Sequence, residues 1–294
     1  MRKTYTVYKD SGFEWLQDVP NNWELRRIKR ICRNVSNQID KAPKNVPYIA
    51  LEHIKSWTSE LDFSSQSEPE SSVKRFMSGD VLFGRLRPYL AKAILASEDG
   101  VCVGELLVLR PKNSEINSRF LLFYLLTKNM IDVINSSTYG AKMPRASWDF
   151  IGSLPVFIPP LEEQQAIVRY LDHKLAQINK FITNKQKLIK LLEEEKAVTI
   201  TNSVTKGINK RASMKHSGVE WLGDIPKTWD VKRTKHLFRL ITKPAPNNNN
   251  MELLSVYTDI GVKPRKELEE RGNRASTTDG YWIVKKGDFI KPSA

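Results

Sequence analysis

The most regular hydrophobic pattern in the chain begins at Leu161, directly after Pro159 and Pro160. Apolar residues then recur in alternating steps of three and four that skip only Lys185. They are Val168, Leu171, Leu175, Ile178, Ile182, Ile189 and Leu192. Such spacing is typical of a coiled-coil seam, and prolines followed by acidic residues suit a helix start. We predict one helix from Leu161 to about Asn202, about 60 Å long, whose seam needs a partner in this chain or another.

Short apolar runs alternate with turn signals before this helix, which is typical of a strand-rich domain. The predicted elements are a β-prone run at 47–54, a serine-rich loop at 61–72, a turn at Gly79-Asp80 followed by a strand, a buried strand at 101–111 broken at Gly104, and a helix at 117–134 capped by Asn117. Residues 11–158 therefore predict a mixed α/β (α+β) domain, which ends at SLPVFIPP.

One motif occurs twice in the chain. SGFEWLQDVPNNWELRRIKRIC spans residues 11–32, the first repeat motif, and SGVEWLGDIPKTWDVKRTKHLF spans residues 217–238, the second repeat motif. They align without a gap over 22 positions, of which ten are identical. The period is far longer than the roughly 20 to 50 residues of a solenoid unit, so we predict a duplicated domain. Taken singly, Trp15 and Trp23 are expected to be core anchors.

The hydrophobic pattern and the duplication together divide the chain into four parts. We predict a first domain at 1–158, the coiled-coil helix at 159–204, a basic linker at 205–216 and an incomplete second copy of the domain at 217–294. The second copy includes MELLSVYTDIGV, which parallels 47–54, and a Gly287-Asp288 turn, which parallels Gly79-Asp80. It ends at KPSA, before counterparts of the 117–134 helix and the coiled coil.

The charge balance favours a polyanionic partner. The chain has 47 Lys and Arg against 33 Asp and Glu, a formal net charge of +14. Nucleic acid is the first expectation and an anionic membrane the alternative. No run approaches the roughly 20 apolar residues of a spanning helix, and MRKTYTVYKD lacks the apolar part of a signal peptide, so we expect a cytoplasmic protein. Cys32 and Cys102 lie far apart and are expected to be buried, without a disulfide or zinc site.

No catalytic pattern is found in the sequence. It has no Walker loop, no G-x-G-x-x-G after a strand and no H-E-x-x-H, and its four histidines are scattered, so neither a metal nor a cofactor is expected on this chain. The Asn- or Asp-Pro-Pro-aromatic tetrad of an adenine methyltransferase is also missing. Glu194-Glu195-Lys196 matches half of a nuclease motif, but it lies on the predicted helix and suits a solvated face.

Basic and aromatic residues concentrate in two segments of the first domain, GRLRPYLAK and SSTYGAKMPRASW. Arginine suits guanine edges and phosphates, lysine suits phosphates, and aromatic rings stack or pack on sugars. The predicted DNA-binding residues are Lys74 and Arg75, which precede the Gly79-Asp80 turn, and, within the two segments, Arg85, Arg87, Tyr89, Lys92, Tyr139, Lys142 and Arg145. Any one of them taken alone could equally be a solubilising surface charge.

A resemblance to a known family lies in both repeat motifs, the GDVLFGRLRPYLAK turn and the run YGAKMPRASWDFIGSLPVFIPPLEEQQAIVRYLD. In these stretches the chain resembles the specificity subunit of type I restriction-modification systems. The resemblance covers essentially the whole chain. It implies two tandem target-recognition domains, each followed by a long helix, with the two helices packed antiparallel between the halves of a bipartite DNA site. It further implies a subunit that is not catalytic.

The resemblance also implies partners. Methyltransferase subunits that bind S-adenosylmethionine would dock on the chain, and through them a restriction subunit that uses ATP with Mg. The methyltransferase subunits would supply the missing tetrad. Each repeat motif would open the recognition domain for one half-site.

The chain departs from the family pattern at its end. A second unit of full length would extend well past residue 294, so a native truncated subunit, a frameshifted product and an incomplete record all remain open. Without a second helix the seam would lack an intrachain partner, which predicts an antiparallel homodimer and an interrupted palindrome as the DNA target. A non-functional truncated subunit, a stand-alone DNA-binding regulator and an enzyme with an unrecognised site are the alternatives.

Overall fold

The structure is a computed structural model that describes residues 5, 7–16, 18–40, 42–43, 46–65, 67, 72–247, 249–257, 261–265 and 279–290. It divides into two compact units, Met1–Lys190 and Leu191–Ala294. Most of the predicted serine-rich loop's second half and the terminal KPSA lie outside the described residues.

The described part of the first unit is rich in strands. The strands are β1 (Tyr8–Lys9), β2 (Val19–Pro20), β3 (Glu24–Arg27), β4 (Cys32–Val35), β5 (Gln38–Ile39), β6 (Tyr48–Ile49), β7 (Val73–Phe76), β8 (Val81–Gly84), β9 (Ala93–Leu95), β10 (Gly100–Val103), β11 (Leu106–Pro111) and β12 (Pro155–Ile158). The helices are α1 (Ile28–Ile31), α2 (Ser118–Leu125), α3 (Lys128–Ser136), α4 (Trp148–Ser153) and α5 (Leu161–Lys206), the last of which continues into the second unit. The predicted mixed α/β character is confirmed.

Two four-stranded sheets form the body of the first unit. Their strand orders are β5-β7-β10-β6 and β4-β11-β8-β9, and β10 pairs with β6 in parallel while the other pairs are antiparallel. The predicted break at Gly104 is confirmed, since it passes the chain from β10 in one sheet to β11 in the other. Cys32 and Cys102 are buried as expected, and desolvation raises the pKa of each thiol to about 12.

The helix predicted at 117–134 is two helices. Asn117 caps α2 as expected, its side chain accepting from the backbone N–H groups of Arg119 and Phe120. Helix α2 ends at Leu125, and α3 begins at Lys128. At 100° per residue, an unbroken helix would turn the buried side chains of α3 to the side opposite those of α2. The break lets both helices face one core, which they share with β8 and β11.

The strand predicted at 47–54 is also shorter than expected. Only Tyr48–Ile49 is extended, and Leu51–His53 forms one turn of 3-10 helix. The backbone N–H of Ala50 donates to Nδ1 of His53 at 3.1 Å. This local side-chain bond competes with strand pairing and stabilises the turn instead.

Helix α5 is four residues longer than the predicted end at Asn202, and it stops before Gly207 as expected. Gly207 has φ +75°, the left-handed conformation that glycine adopts after a helix end. Among the described residues, no helix combines the length and the apolar character needed to span a membrane.

The described part of the second unit contains α6 (Thr234–Leu237), β13 (Met214–His216), β14 (Asp224–Pro226), β15 (Leu254–Tyr257) and β16 (Gly261–Pro264). The second repeat motif has the same local geometry as the first. The backbone N–H of Trp23 donates to Pro20 at 3.0 Å, and that of Trp229 donates to Pro226 at 2.9 Å. The repeat is therefore structural as well as sequential.

The glycine-aspartate turns of the two copies correspond in the same way. Asp80 Oδ2 accepts from the N–H of Met77 at 2.8 Å, and Asp288 Oδ2 accepts from the N–H of Lys285 at 2.7 Å. Both preceding glycines have positive φ, +87° at Gly79 and +98° at Gly287. The predicted turns are confirmed, because only glycine adopts this conformation without strain.

Candidate nucleic-acid interface

The two basic-aromatic segments predicted from the sequence meet in space. We call residues 85–92 the first basic loop and residues 139–146 the second basic loop. The N–H of Arg87 donates to Pro144 at 2.8 Å, and the N–H of Ala146 donates to Arg85 at 2.9 Å. Within the second loop, Tyr139 and Arg145 exchange two backbone hydrogen bonds of 3.1 and 3.0 Å. Segments more than forty residues apart in the sequence thus form one surface.

Glu105 joins the two basic loops. Its carboxylate accepts from Nε of Arg145 at 3.0 Å and from Nε of Arg85 at 3.2 Å, and its carbonyl accepts from the N–H of Arg85. Burial raises the pKa of the Glu105 carboxyl, but the hydrogen bonds and charges of both arginines outweigh it, so the pKa lies below its ordinary value. The carboxylate is therefore ionised at neutral pH and holds the loops together.

Lys74 reinforces the same turn from the neighbouring sheet. Its Nζ donates to the carbonyls of Gly104 at 2.7 Å and Leu106 at 2.9 Å, the two residues that flank Glu105. Desolvation lowers the pKa of Lys74, and the charge of Arg85 lowers it further. Three cations and one carboxylate thus surround the point where the chain changes sheets.

Other predicted DNA-binding residues present their side chains to solvent. Arg87, Tyr89, Tyr139 and Lys142 are exposed, on the surface that the two loops create. Arg87 has φ +49°, which is uncommon for a residue with a Cβ, and it precedes a 3-10 turn at Pro88–Leu90. Lys92 instead supports the loop from behind, because its Nζ donates to the carbonyl of Leu51 at 2.7 Å.

Arg75 lies apart from the other predicted residues. Successive side chains of a strand point to opposite faces, so Arg75 faces away from Lys74 and Glu105. It lines a cleft of about 560 Å³ together with Asp99 and Arg110. The structure thus divides the predicted residues into three groups. Arg87, Tyr89, Tyr139 and Lys142 are exposed, Lys74, Arg85, Lys92 and Arg145 hold the loops in place, and Arg75 lies apart. Glu105 was not among the predicted residues, and the only local signal for it was the Gly104 break.

The base of α5 is attached to the first repeat motif. Nε1 of Trp23 donates to Oε1 of Glu163 at 3.0 Å, and Nδ2 of Asn22 donates to Oε2 at 3.3 Å. The hydroxyl of Tyr5 also donates to Glu163. Desolvation and that hydrogen bond raise the pKa of Tyr5 to about 12. Trp15, by contrast, packs against the core, as expected of an anchor.

Gln164 is fully buried beside this contact. Its Oε1 accepts from the N–H of Asn117 at 2.9 Å, and its Nε2 donates to the carbonyls of Glu115 at 2.8 Å and Pro159 at 2.9 Å. Further along the helix, Asp172 accepts from Arg119 at 2.8 Å, and Asn179 donates to Glu60 at 2.9 Å. The first half of α5 is therefore fastened to its own domain.

The predicted seam changes character along α5. Val168 packs against the core and Leu171 is half-buried. The later seam residues are exposed, by 39% at Leu175, 52% at Ile178, 47% at Ile182, 57% at Ile189 and 53% at Leu192. This stripe is available for association.

Comparison with known proteins agrees with the resemblance in the motifs. Residues 20–193 match the family described as type I restriction modification DNA specificity domain, which is more than half of the chain. The chain belongs to this family. The predicted family is thereby confirmed.

Curated relatives include the type I restriction enzyme EcoDI specificity subunit of Escherichia coli, 26% identical over 220 residues, which are 72% of this chain and 46% of the relative. Another is the putative type I restriction enzyme MjaX specificity subunit of Methanocaldococcus jannaschii, 25% identical over 266 residues, 83% of this chain and 60% of the relative. The chain thus spans about half the length of these relatives. The HsdS subunit of Thermoanaerobacter tengcongensis has a similar crystal structure, with a TM-score of 0.48, 18% identity and coverage of 69% of this chain and 52% of that one.

Proposed function

We propose that the first unit binds one half of a bipartite duplex DNA site, as a non-catalytic recognition subunit of a type I restriction-modification complex. The observation that carries this proposal is that Glu105 binds both basic loops, through Arg85 and Arg145. Because the loops are held together, Arg87, Tyr89, Tyr139 and Lys142 are exposed on one surface. A basic, aromatic and rigid surface suits phosphates and base edges together. The net charge of +14 adds a sequence-independent attraction to DNA.

We further propose that α5 is the docking and pairing element. Its exposed seam from Leu175 to Leu192 suits an apolar partner helix, either in a second copy packed antiparallel or in a longer form of the chain. Adenine methyltransferase subunits would dock beside it and bind S-adenosylmethionine. A restriction subunit using ATP with Mg would join through them. The hydrogen bonds of Asn22 and Trp23 to Glu163 attach the base of α5 to the first repeat motif, which supports a rigid platform.

The reaction test uses labelled S-adenosylmethionine and duplex DNA. The chain is incubated with both, with and without methyltransferase subunits from the same organism. We expect methyl transfer only when chain and methyltransferase subunits are combined, and a DNA motif that depends on the chain. Transfer by the chain alone would identify an enzyme. DNA binding without transfer in either mixture would favour the stand-alone regulator.

A direct binding test addresses the loop surface. Arg87→Ala combined with Lys142→Ala removes two outward cations, while Lys128→Ala removes an exposed lysine on α3 as the control. Each lost phosphate contact lowers the slope of log K against log salt by roughly 0.9, so the double variant is expected to lower it by roughly 1.8. An unchanged slope and affinity would reject this surface as the DNA site.

A further inference from the structure

A third loop meets the first basic loop. We call residues 55–60 the tryptophan loop. The N–H of Lys55 donates to the carbonyl of Glu60 at 2.9 Å, which closes the loop. The N–H of Trp57 then donates to the carbonyl of Ala91 at 3.2 Å, which joins it to the first basic loop. This segment was not among the predicted DNA-binding residues.

The junction of these two loops concentrates backbone strain. Among the described residues other than glycine, positive φ angles occur at Trp57 (+66°), Ser59 (+56°), Arg87 (+49°) and Ala91 (+47°). All of them lie in the tryptophan loop or the first basic loop. Such conformations are disfavoured by the Cβ, most of all for a bulky side chain, and they concentrate at functional sites.

Core packing does not account for the strain at Trp57. Its side chain is 48% exposed, close to the 47% of Tyr89 and the 58% of Tyr139 on the basic loops. A large apolar side chain that is half exposed contributes only part of the stabilisation that its burial would give. The fold therefore holds a half-exposed indole in a disfavoured backbone conformation, in a loop that is hydrogen-bonded to the first basic loop.

We propose that Trp57 is a DNA-contacting residue, whose ring packs on base edges or sugars in a groove while Arg87 and Lys142 engage phosphates. This proposal rests on the proposed function and extends its site to a third loop. Aromatic and apolar side chains that enter a groove read shape and base steps rather than charge. The contact is uncharged, so it adds affinity that does not depend on salt.

The test uses the full chain and a fluorescent pool of DNA duplexes with a randomised centre, enriched by binding to the wild-type chain. Trp57→Ala removes the ring, and Trp57→Phe retains an aromatic ring. Trp221→Ala, in the second repeat motif, is the control for loss of an exposed indole, since Trp221 is 85% exposed. We expect Trp57→Ala to weaken binding about tenfold with an unchanged salt slope. Trp57→Phe should restore most of the affinity, and the control should bind like the wild type.

A fourth variant separates DNA contact from a structural role. Trp57→Gly relieves the positive φ, so it is expected to melt at or near the wild-type temperature while binding as weakly as Trp57→Ala. A structural role would instead lower the melting temperature of both variants, which overturns the proposal. If Trp57→Ala binds the DNA duplexes as tightly as the wild type, the role of Trp57 is also overturned, but the proposed function of the chain is not. If the wild-type chain retains no duplex from the pool, the proposed function and this inference both fail.

Discussion

Trp23 and Glu163 lie 140 positions apart and meet through a hydrogen bond of 3.0 Å between Nε1 and Oε1. The tryptophan belongs to the first repeat motif and the glutamate to the first turn of α5. This bond fastens the start of the long helix to the start of the domain. It gives the second tryptophan of the motif a function that core packing alone would not require.

Replacing Trp23 by Phe tests this contact. The change keeps an aromatic ring but removes the donor, so Glu163 loses one of its hydrogen bonds. A bond to a charged acceptor contributes about 1.5–3 kcal/mol, and partial exposure places the expected loss of unfolding free energy at about 1–2 kcal/mol. Urea unfolding measures it. Trp229→Phe, the equivalent change in the second repeat motif, is the matched control, and an equal loss in both variants would argue against a special role for the Glu163 contact.

Gln164→Leu tests the buried amide beside it. The change leaves the N–H of Asn117 and two carbonyls without their partner in an interior site. Buried unsatisfied groups cost about 1–3 kcal/mol, so we expect a loss of unfolding free energy of about 3 kcal/mol. Gln165→Leu changes the exposed neighbour and should alter stability by less than about 0.5 kcal/mol. Circular dichroism during urea unfolding compares the two, and similar midpoints would contradict the assignment.

Glu105→Gln tests the junction of the basic loops through its pH dependence. The folded-state pKa of Glu105 is lowered, so the contribution of this group to stability is present above the unfolded-state pKa of about 4.3 and is lost as pH falls through the folded-state pKa. At pH 7 the variant should be less stable by about 1–2 kcal/mol and should bind DNA more weakly, because its loops are no longer held by a charge.

The difference in stability between the wild type and Glu105→Gln should shrink as the pH falls below about 4. Urea unfolding at several pH values measures it. Glu115→Gln, an exposed acid paired with Arg26, provides the control for removal of a single carboxylate. A difference that stays constant from neutral to acid pH would show that the charge of Glu105 does not hold the loops.

The exposed seam predicts association. Leu175→Asp combined with Ile182→Asp places charges where a partner helix would bury them, at a cost of several kcal/mol in the associated state. Both side chains are substantially exposed in the single chain, so the fold itself should tolerate the change. Gln177→Asp combined with Asn184→Asp has the same spacing on the opposite side of α5 and is the control.

Sedimentation of the wild-type chain, with and without methyltransferase subunits, provides the measurement. We expect the seam variant to lose self-association or co-sedimentation that the control retains. If the seam variant associates as the wild type does, partners bind elsewhere.

The local elements of this protein were determined by its sequence. The apolar spacing after Leu161 predicts α5, the side chain of Asn117 predicts a helix start, and Gly79-Asp80 predicts a turn. Each depends on groups within a few residues of one another, so its free energy is decided by short-range geometry. The repeated sequence motif likewise predicts the same local structure in both copies, since its hydrogen bonds join residues that are close in sequence.

The candidate DNA-binding surface was decided only by the tertiary structure. Glu105 binds Arg85 and Arg145 across 20 and 40 positions, and Gln164 reaches back to Asn117. Even the interruption between α2 and α3 was not predicted, because it results from packing both helices on one core and not from a local sequence preference. Such contacts form because sheet pairing brings distant segments together and burial then requires their polar groups to find partners. The identity of those partners depends on strand order, which no short stretch of sequence specifies.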